Sequence, residues 1–131
     1  MIAVDSSAVV AIAQMEAEAD AFLDMLSREE ARMAGVNYVE AGIVLIGRGR
    51  MESAADYALW LSAHGITIVA DESLHAPALA AYLSYGRGFH RARLNLADCF
   101  AYALASVLNA PLLYKGADFS LTDIRPAYRA V

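Results

Sequence analysis

Four acidic side chains stand where the chain passes between predicted strands and helices. Asp5 directly follows the apolar run 1–4, Asp118 comes shortly after a later apolar run, and Glu40 and Asp98 each lie near the start of a predicted helix. Sites in open α/β sheets form at the carboxyl ends of the strands, so these side chains should meet there. Carboxylates gathered in one place repel one another unless a cation joins them, and Mg²⁺ prefers oxygen ligands. The pattern therefore predicts a metal-dependent enzyme that acts on phosphates.

Each acid also has a structural explanation. Asn37-x-x-Glu40 and Asn95-x-x-Asp98 both resemble capping boxes, in which the third helical residue bonds back to the cap. Asp5 could be a turn residue or a helix cap, but it interrupts an otherwise apolar N-terminal segment. A lone carboxylate in such a segment is costly to bury unless it is paired or bound to metal. The two explanations are compatible, because a helix N-terminus keeps a carboxylate ionised and a metal ligand must be ionised.

Composition narrows the class of protein. The chain has 131 residues, of which 59% are hydrophobic and 19% are charged, and its formal net charge is −5. The length and the absence of a linker predict a single domain, residues 1–131. A negative net charge argues against a generic nucleic-acid binder, which is usually basic. It does not exclude a nuclease, because metal ions neutralise part of a carboxylate cluster.

The location of the protein also follows from simple patterns. The longest run without a charged residue, 99–114, is too short and too interrupted for a membrane span. The N-terminus has no basic stretch before its apolar run, so no signal peptide is visible. The single cysteine, Cys99, cannot form an internal disulfide, which fits a reducing compartment. We therefore expect a cytoplasmic protein that makes no contact with a membrane.

The elements that position the acids alternate along the chain. Strands separated by helices imply an α/β fold with a parallel sheet covered on both faces, here three layers, α/β/α, with about four to five strands. Right-handed crossovers then place successive strand ends along one edge. Ser6 or Ser7 caps the first helix, Asn37 caps the third, and Pro126 allows only a short or edge strand near the C-terminus. The predicted strands are 1–4, 31–34, 66–69 and 112–114, and the predicted helices are 6–14, 16–28, 37–46, 51–64, 73–84 and 96–108.

Four short motifs, taken in order, carry a resemblance to a known family. The chain resembles the PIN-domain ribonucleases, and most of all the VapC toxins of type II bacterial toxin–antitoxin pairs. The resemblance runs nearly end to end and includes the order and spacing of the acids. It implies a PIN-like fold and a Mg²⁺- or Mn²⁺-dependent endoribonuclease that hydrolyses RNA phosphodiester bonds. The motifs lie in residues 1–10, 37–41, 96–103 and 112–124.

The resemblance also implies roles for particular acids. Asp5 and Asp98 match the principal metal ligands of the family, and Glu40 matches its third acid, a ligand directly or through water. Together with Asp118 they would form the catalytic set.

The fourth acid is less regular than the other three. Many family members carry it two residues before Asp118, where this chain has Gly116. Either Asp118 or Asp123 would then supply the fourth carboxylate, or it is dispensable. Ser6 or Ser7 resembles the small hydroxyl residue that often follows the first acid, which would bond a ligand or phosphate, or else cap a helix.

A basic segment precedes the helix that carries Asp98. Residues 85–93 contain Arg87, Arg91 and Arg93 and no acid. Arginines at this place would hold RNA phosphates, whereas the alternative is an ordinary solvated loop. Lys115, beside the last predicted strand, would either contact phosphate or pair with an acid.

Partners follow from the resemblance as well. It implies an RNA substrate, a homodimer, and a cognate VapB-like antitoxin that forms a larger toxin–antitoxin assembly and covers the acids from a groove between the early helices. Candidate groove residues are Ala11, Ile12, Phe22, Leu26 and Leu45, although each is also a plausible core residue.

Two other classes of function fit the sequence less well. A catalytically silent PIN-like module would serve protein association alone and bind no divalent metal, and Gly116 is its sequence support. An enzyme of the haloacid-dehalogenase type needs a second Asp two residues after the first, where this chain has Ser7.

Overall fold

The computed structural model describes residues 1–129. Strands and helices alternate along this part of the chain, and none of its helices is long and apolar enough to cross a membrane. A short 3₁₀ helix, Glu72–Leu74, leads into the fifth helix, and another, Asp118–Leu121, follows the last strand. The elements are β1 (Ile2–Val4), α1 (Ser6–Ala13), α2 (Ala19–Arg28), β2 (Ala31–Ala34), α3 (Gly35–Gly47), α4 (Ala54–Ala63), β3 (Ile66–Val69), α5 (His75–Tyr85), α6 (Leu96–Leu108) and β4 (Leu112–Leu113).

The four strands form one parallel sheet in the order β3-β2-β1-β4. Ala3 of β1 pairs with Arg32 of β2 on one side and with Leu112 of β4 on the other. Pro126 makes a single parallel bridge to Leu112, so the predicted edge strand is reduced to one residue. Because all four strands run the same way, their carboxyl ends share one edge of the sheet, as the sequence predicted.

Each face of the sheet is covered by its own hydrophobic core. Alternate residues of β1 point to opposite faces, so Ile2 and Val4 join one core while Ala3 joins the other. The first core takes buried residues from α1 to α4, and the second takes them from α5 and α6. This arrangement confirms the three-layer α/β/α fold.

Helix α4 packs closely on α3. Gly42 allows the approach, since a Cβ at this position would lie 2.8 Å from a ring carbon of Tyr57. The hydroxyl of Tyr57 donates a hydrogen bond to the backbone oxygen of Tyr38 at 2.8 Å. Tyr57 therefore holds the first half of α3 against α4.

Three predicted helix starts are wrong. Helix α2 begins at Ala19 rather than Glu16, and α4 begins at Ala54, after the cap Ser53, rather than at Met51. Helix α3 begins at Gly35, because β2 runs directly into it, and its cap is Ala34 with no side-chain hydrogen bond. Asn37 therefore lies inside α3, and Asn37-x-x-Glu40 is not a capping box.

Candidate active site

The structure brings the four predicted catalytic acids to one pocket. The pocket has a volume of about 270 Å³ and opens at the carboxyl edge of the sheet. Asp5 reaches it from the end of β1, Glu40 from α3, Asp98 from the first turn of α6 and Asp118 from the turn after β4. Other side chains around the pocket are Ser6, Ser7, Arg48, Asn95 and Lys115.

Asp5 directly follows β1 and is the cap of α1. Its backbone is extended, and its Oδ2 accepts hydrogen bonds from the Ser7 N–H at 3.0 Å and the Ser7 hydroxyl at 2.6 Å. Of the predicted caps of α1, Asp5 is therefore the one observed, and Ser6 and Ser7 are not. Asp5 is only 3% exposed, so its orientation is fixed by burial as well as by these bonds.

Asp98 is held by the predicted capping box of α6. Its Oδ2 accepts a hydrogen bond from the Asn95 N–H at 3.0 Å, and Asn95 Oδ1 accepts one from the Asp98 N–H at 2.8 Å. The Asp98 side chain is 8% exposed. The box therefore fixes an acid at the helix N-terminus and aims it at the pocket.

Burial raises the pKa of both carboxyls. The pKa of Asp5 rises to about 7, mainly because the group is desolvated and also because Asp98 and Glu40 are near, although the bonds from Ser7 lower it. The pKa of Asp98 rises to about 6, again mainly by desolvation, with Asp118 and Glu40 adding to the rise and the Asn95 bond and Arg87 opposing it. A bound cation would relieve this cost, because it favours the ionised form of both groups.

The donor chemistry of the pocket fits a hydrated divalent cation. Asp5, Glu40 and Asp98 all line this pocket, although within residues 1–129 no three His, Cys, Asp or Glu side chains already lie close enough together to bind a metal ion directly. Mg²⁺ rarely needs such a set, since it keeps several waters and binds one or two carboxylates plus substrate phosphates. Asp5 and Asp98 supply the oxygen ligands for that mode, and their roles stay predictions.

Asp118 and Asp123 occupy different places. Asp118 is exposed beside Asp98, whereas Asp123 bonds to the hydroxyl of Tyr102 and lines a separate cavity. Of the two candidates for the fourth acid, Asp118 is thus the one at the pocket. Gly116, two residues earlier, has a φ of +101°, a conformation that strains other residues. The turn after β4 therefore favours glycine at this position.

The basic segment lies beside the acids. Arg87, Arg91 and Arg93 line a second cavity of about 340 Å³, whose wall includes Asp98 and Asp118. All three arginines are exposed. The structure thus places the predicted phosphate contacts next to the candidate metal ligands.

The last two predicted substrate contacts already have partners. The Ser6 hydroxyl is buried and donates to the backbone oxygen of Asn37 at 3.1 Å. The Lys115 ammonium pairs with Glu16 at 2.5 Å and Glu18 at 3.2 Å. Of the two interpretations of Lys115, pairing with an acid is the one observed.

The comparison with family models decides the relationship. The model of the PIN domain matches residues 2–124. The chain belongs to the PIN-domain family. This PIN domain is 44% identical over 127 residues to Ribonuclease VapC42 of Mycobacterium tuberculosis, an alignment that covers 95% of this chain and 97% of that one.

Solved structures share the fold at low sequence identity. The VapC20 toxin of Mycobacterium tuberculosis, which cleaves the sarcin-ricin loop, superposes with a TM-score of 0.73 at 15% identity, covering 96% of this chain and 100% of that one. A toxin–antitoxin complex from Klebsiella pneumoniae superposes with a TM-score of 0.70 at 13% identity, covering 94% and 93%. Both likenesses confirm the PIN fold.

Sequence reasoning gave no role in the site to two residues that lie at it. Arg48 is exposed, borders the acidic pocket and donates to Gln14 Oε1 at 2.8 Å. Asn37 is fully buried and bonds to Asp5 rather than capping a helix. The signal for Asn37 was an amide in an apolar stretch directly after a strand.

Proposed function

We propose that this PIN-domain protein is a divalent-metal-dependent endoribonuclease, the toxin of a VapBC-type toxin–antitoxin pair. The observation that carries the proposal is the meeting of Asp5, Glu40, Asp98 and Asp118 in one pocket at the strand ends. The relative named Ribonuclease VapC42 supports the same activity. We place this activity in the cytoplasm, which a single cysteine and an RNA substrate favour.

The residues of the pocket have different roles in binding the metal ion. Asp5 and Asp98 would hold Mg²⁺ or Mn²⁺, which would polarise the scissile phosphate and lower the pKa of a water molecule. Ser7 and Asn95 fix these two carboxylates before RNA arrives. Glu40 lines the same pocket and would contact the cation directly or through a water molecule.

The arginines bind the RNA backbone beside the acids. Arg87, Arg91 and Arg93 contact phosphates on the side of Asp118, and Arg48 contacts them from its position just after α3. Lys115 would reach a phosphate only by leaving Glu16 and Glu18. Its part in substrate binding is therefore secondary to that of the arginines.

We infer a VapB-like antitoxin and a homodimer as partners. One of the structures with this fold is a toxin–antitoxin complex. The groove residues predicted from the sequence cannot line a groove here, because all five are buried in the first core. On α3 and α4 the apolar side chains exposed to a partner are Val39, Ile43, Ile46 and Leu59, and α5 and α6 expose others.

RNA cleavage by the purified protein tests the proposal. A total RNA mixture would be incubated with the wild type in Mn²⁺ or Mg²⁺ and in EDTA, and with Asp98→Asn in Mn²⁺. We expect discrete products that disappear in EDTA and fall at least about 100-fold in the variant, since the metal and its ligands supply several kcal/mol of transition-state stabilisation. Asp56→Asn, an exposed acid on α4, is the matched control and should cleave like the wild type.

Two results would count against this function. If folded Asp98→Asn cleaved RNA as fast as the wild type, Asp98 would not be part of the active site. A folded wild type that cleaves nothing in the mixture in either metal would favour the silent interaction module.

A further inference from the structure

Asn37 joins the two chain segments that carry the principal acids. The residue lies in α3 and is 0% exposed. Its Nδ2 donates to the backbone oxygen of Ala97 at 3.0 Å, to Ser6 Oγ at 3.2 Å and to Asp5 Oδ1 at 3.4 Å. Ala97 directly precedes Asp98, so one amide group connects the end of β1 with the first turn of α6.

The connection is reinforced from the backbone. The Ser6 hydroxyl donates to the backbone oxygen of Asn37 at 3.1 Å while it also accepts from the Asn37 side chain. The start of α1 is therefore bonded to α3 at two points, next to the carboxylate of Asp5. Asp5 receives its other bonds from Ser7 at the opposite oxygen, Oδ2. Asn37 is thus the contact on the Oδ1 side, and a shift of the Asn37 amide would release Asp5 there.

Stability alone does not explain an asparagine at this position. Its Oδ1 is buried and has no hydrogen-bond partner within residues 1–129. A buried acceptor without a partner destabilises a fold, and well-folded proteins keep such groups mainly at functional sites. The donor side of the amide, whose two N–H groups are shared among three acceptors from two segments, is the feature that an apolar residue could not supply.

We propose that Asn37 is a positioning residue that sets the separation of the Asp5 and Asp98 carboxylates for cation binding. The inference rests on the proposed function, because it takes Asp5 and Asp98 as the ligands. Outer partners that orient metal ligands commonly account for a 10- to 100-fold difference in metal affinity. Asn37 acts in this way on two ligands at once. It contacts Asp5 directly at Asp5 Oδ1, and it holds Asp98 indirectly through the backbone oxygen of Ala97.

Mn²⁺ affinity, measured by calorimetry on the purified protein, tests this role. The variant Asn37→Ala removes the donors without adding bulk. We expect the dissociation constant for Mn²⁺ to rise roughly 10- to 100-fold. The Mn²⁺ concentration for half-maximal RNA cleavage should rise in parallel, while the rate at saturating Mn²⁺ changes much less. If Asn37→Ala does not fold, Asn37→Ser, whose hydroxyl is too short to span the same acceptors, replaces it.

Tyr57→Phe is the matched control. It removes a buried hydrogen bond to Tyr38 O, one residue from Asn37, without touching either acid. It should lower the thermal midpoint of unfolding in EDTA and leave Mn²⁺ affinity within about twofold of the wild type, as expected for a bond that does not orient a ligand. If both variants weakened Mn²⁺ binding equally, or if the Asn37 variant bound Mn²⁺ as tightly as the wild type, the inference about Asn37 would be wrong. The proposed metal dependence would not be affected. A wild type that binds no Mn²⁺ would overturn the inference together with the proposed metal dependence.

Discussion

At the scale of single residues, Asp5 has opposite effects on the stability of the fold. It caps α1 through Ser7, which stabilises the helix, yet it is a carboxylate buried to 3% exposure, which destabilises the fold when ionised. The sequence indicated this conflict, because an acid interrupted an apolar segment. It showed a polar residue at Asn37 but not the role of that residue, which depends on contacts with residues 31 to 60 positions away in the chain.

The conflict at Asp5 predicts how stability depends on pH without metal. Its folded pKa of about 7 lies above the ordinary value of 3.8, so protonated Asp5 is favoured by folding. Its contribution is fully present below pH 4 and is lost as pH rises towards 7. Asp5→Asn keeps a capping side chain and removes the charge. In EDTA at pH 8 the variant should therefore be more stable than the wild type, by at most about 4 kcal/mol.

Urea unfolding at pH 4, 6 and 8 in EDTA measures this effect. The gain from Asp5→Asn should be smallest at pH 4 and largest at pH 8, whereas Asp56→Asn should show no such trend. A variant that is less stable than the wild type at pH 8 would show that the Asp5 charge is already compensated in the metal-free fold.

At the scale of elements, local sequence patterns predicted those features that local bonds decide. The capping box at Asn95 was predicted correctly, because both of its partners lie within one turn of α6. The same pattern at Asn37 was misleading, because β2 continues into α3 without a break and moves the helix start to Gly35. The start of α3 depends on where β2 ends in the sheet, and a short sequence motif does not carry that information.

The segment between α5 and α6 is the element that should govern RNA affinity. Its exposed arginines, Arg87, Arg91 and Arg93, face the acids across one cavity. Replacing all three with Gln in an Asp98→Asn background, which prevents cleavage, should weaken binding of a single-stranded RNA. The slope of log affinity against log salt should fall by about 2, since each phosphate contact to a single strand contributes about 0.7.

Fluorescence anisotropy with a labelled RNA between low and moderate salt gives this slope. Arg28→Gln in the same background is the control, because Arg28 is exposed on α2 and paired with Asp24. If the triple variant and the control had the same slope, the segment would not contact phosphates and the solvated-loop interpretation would stand.

At the scale of the whole molecule, the alternation of strands and helices was enough to predict where the site forms. A parallel sheet places all strand ends at one edge, which is why acids far apart in the chain meet in one pocket. Side-chain pairing across that edge could not be predicted. Arg48 and Lys115 both border the pocket, yet whether each faces Gln14, Glu16 or a phosphate depends on how α1 and α2 pack.

The central claim is that Asp5 and Asp98 hold the cation on which RNA cleavage depends. A crystal of the protein grown with Mn²⁺ and measured for anomalous scattering tests it most directly. We predict a Mn²⁺ peak within about 2.5 Å of a carboxylate oxygen of each residue, with waters in the remaining positions. A saturated crystal with no peak in this pocket, or with Mn²⁺ bound only at other acids, would contradict the account.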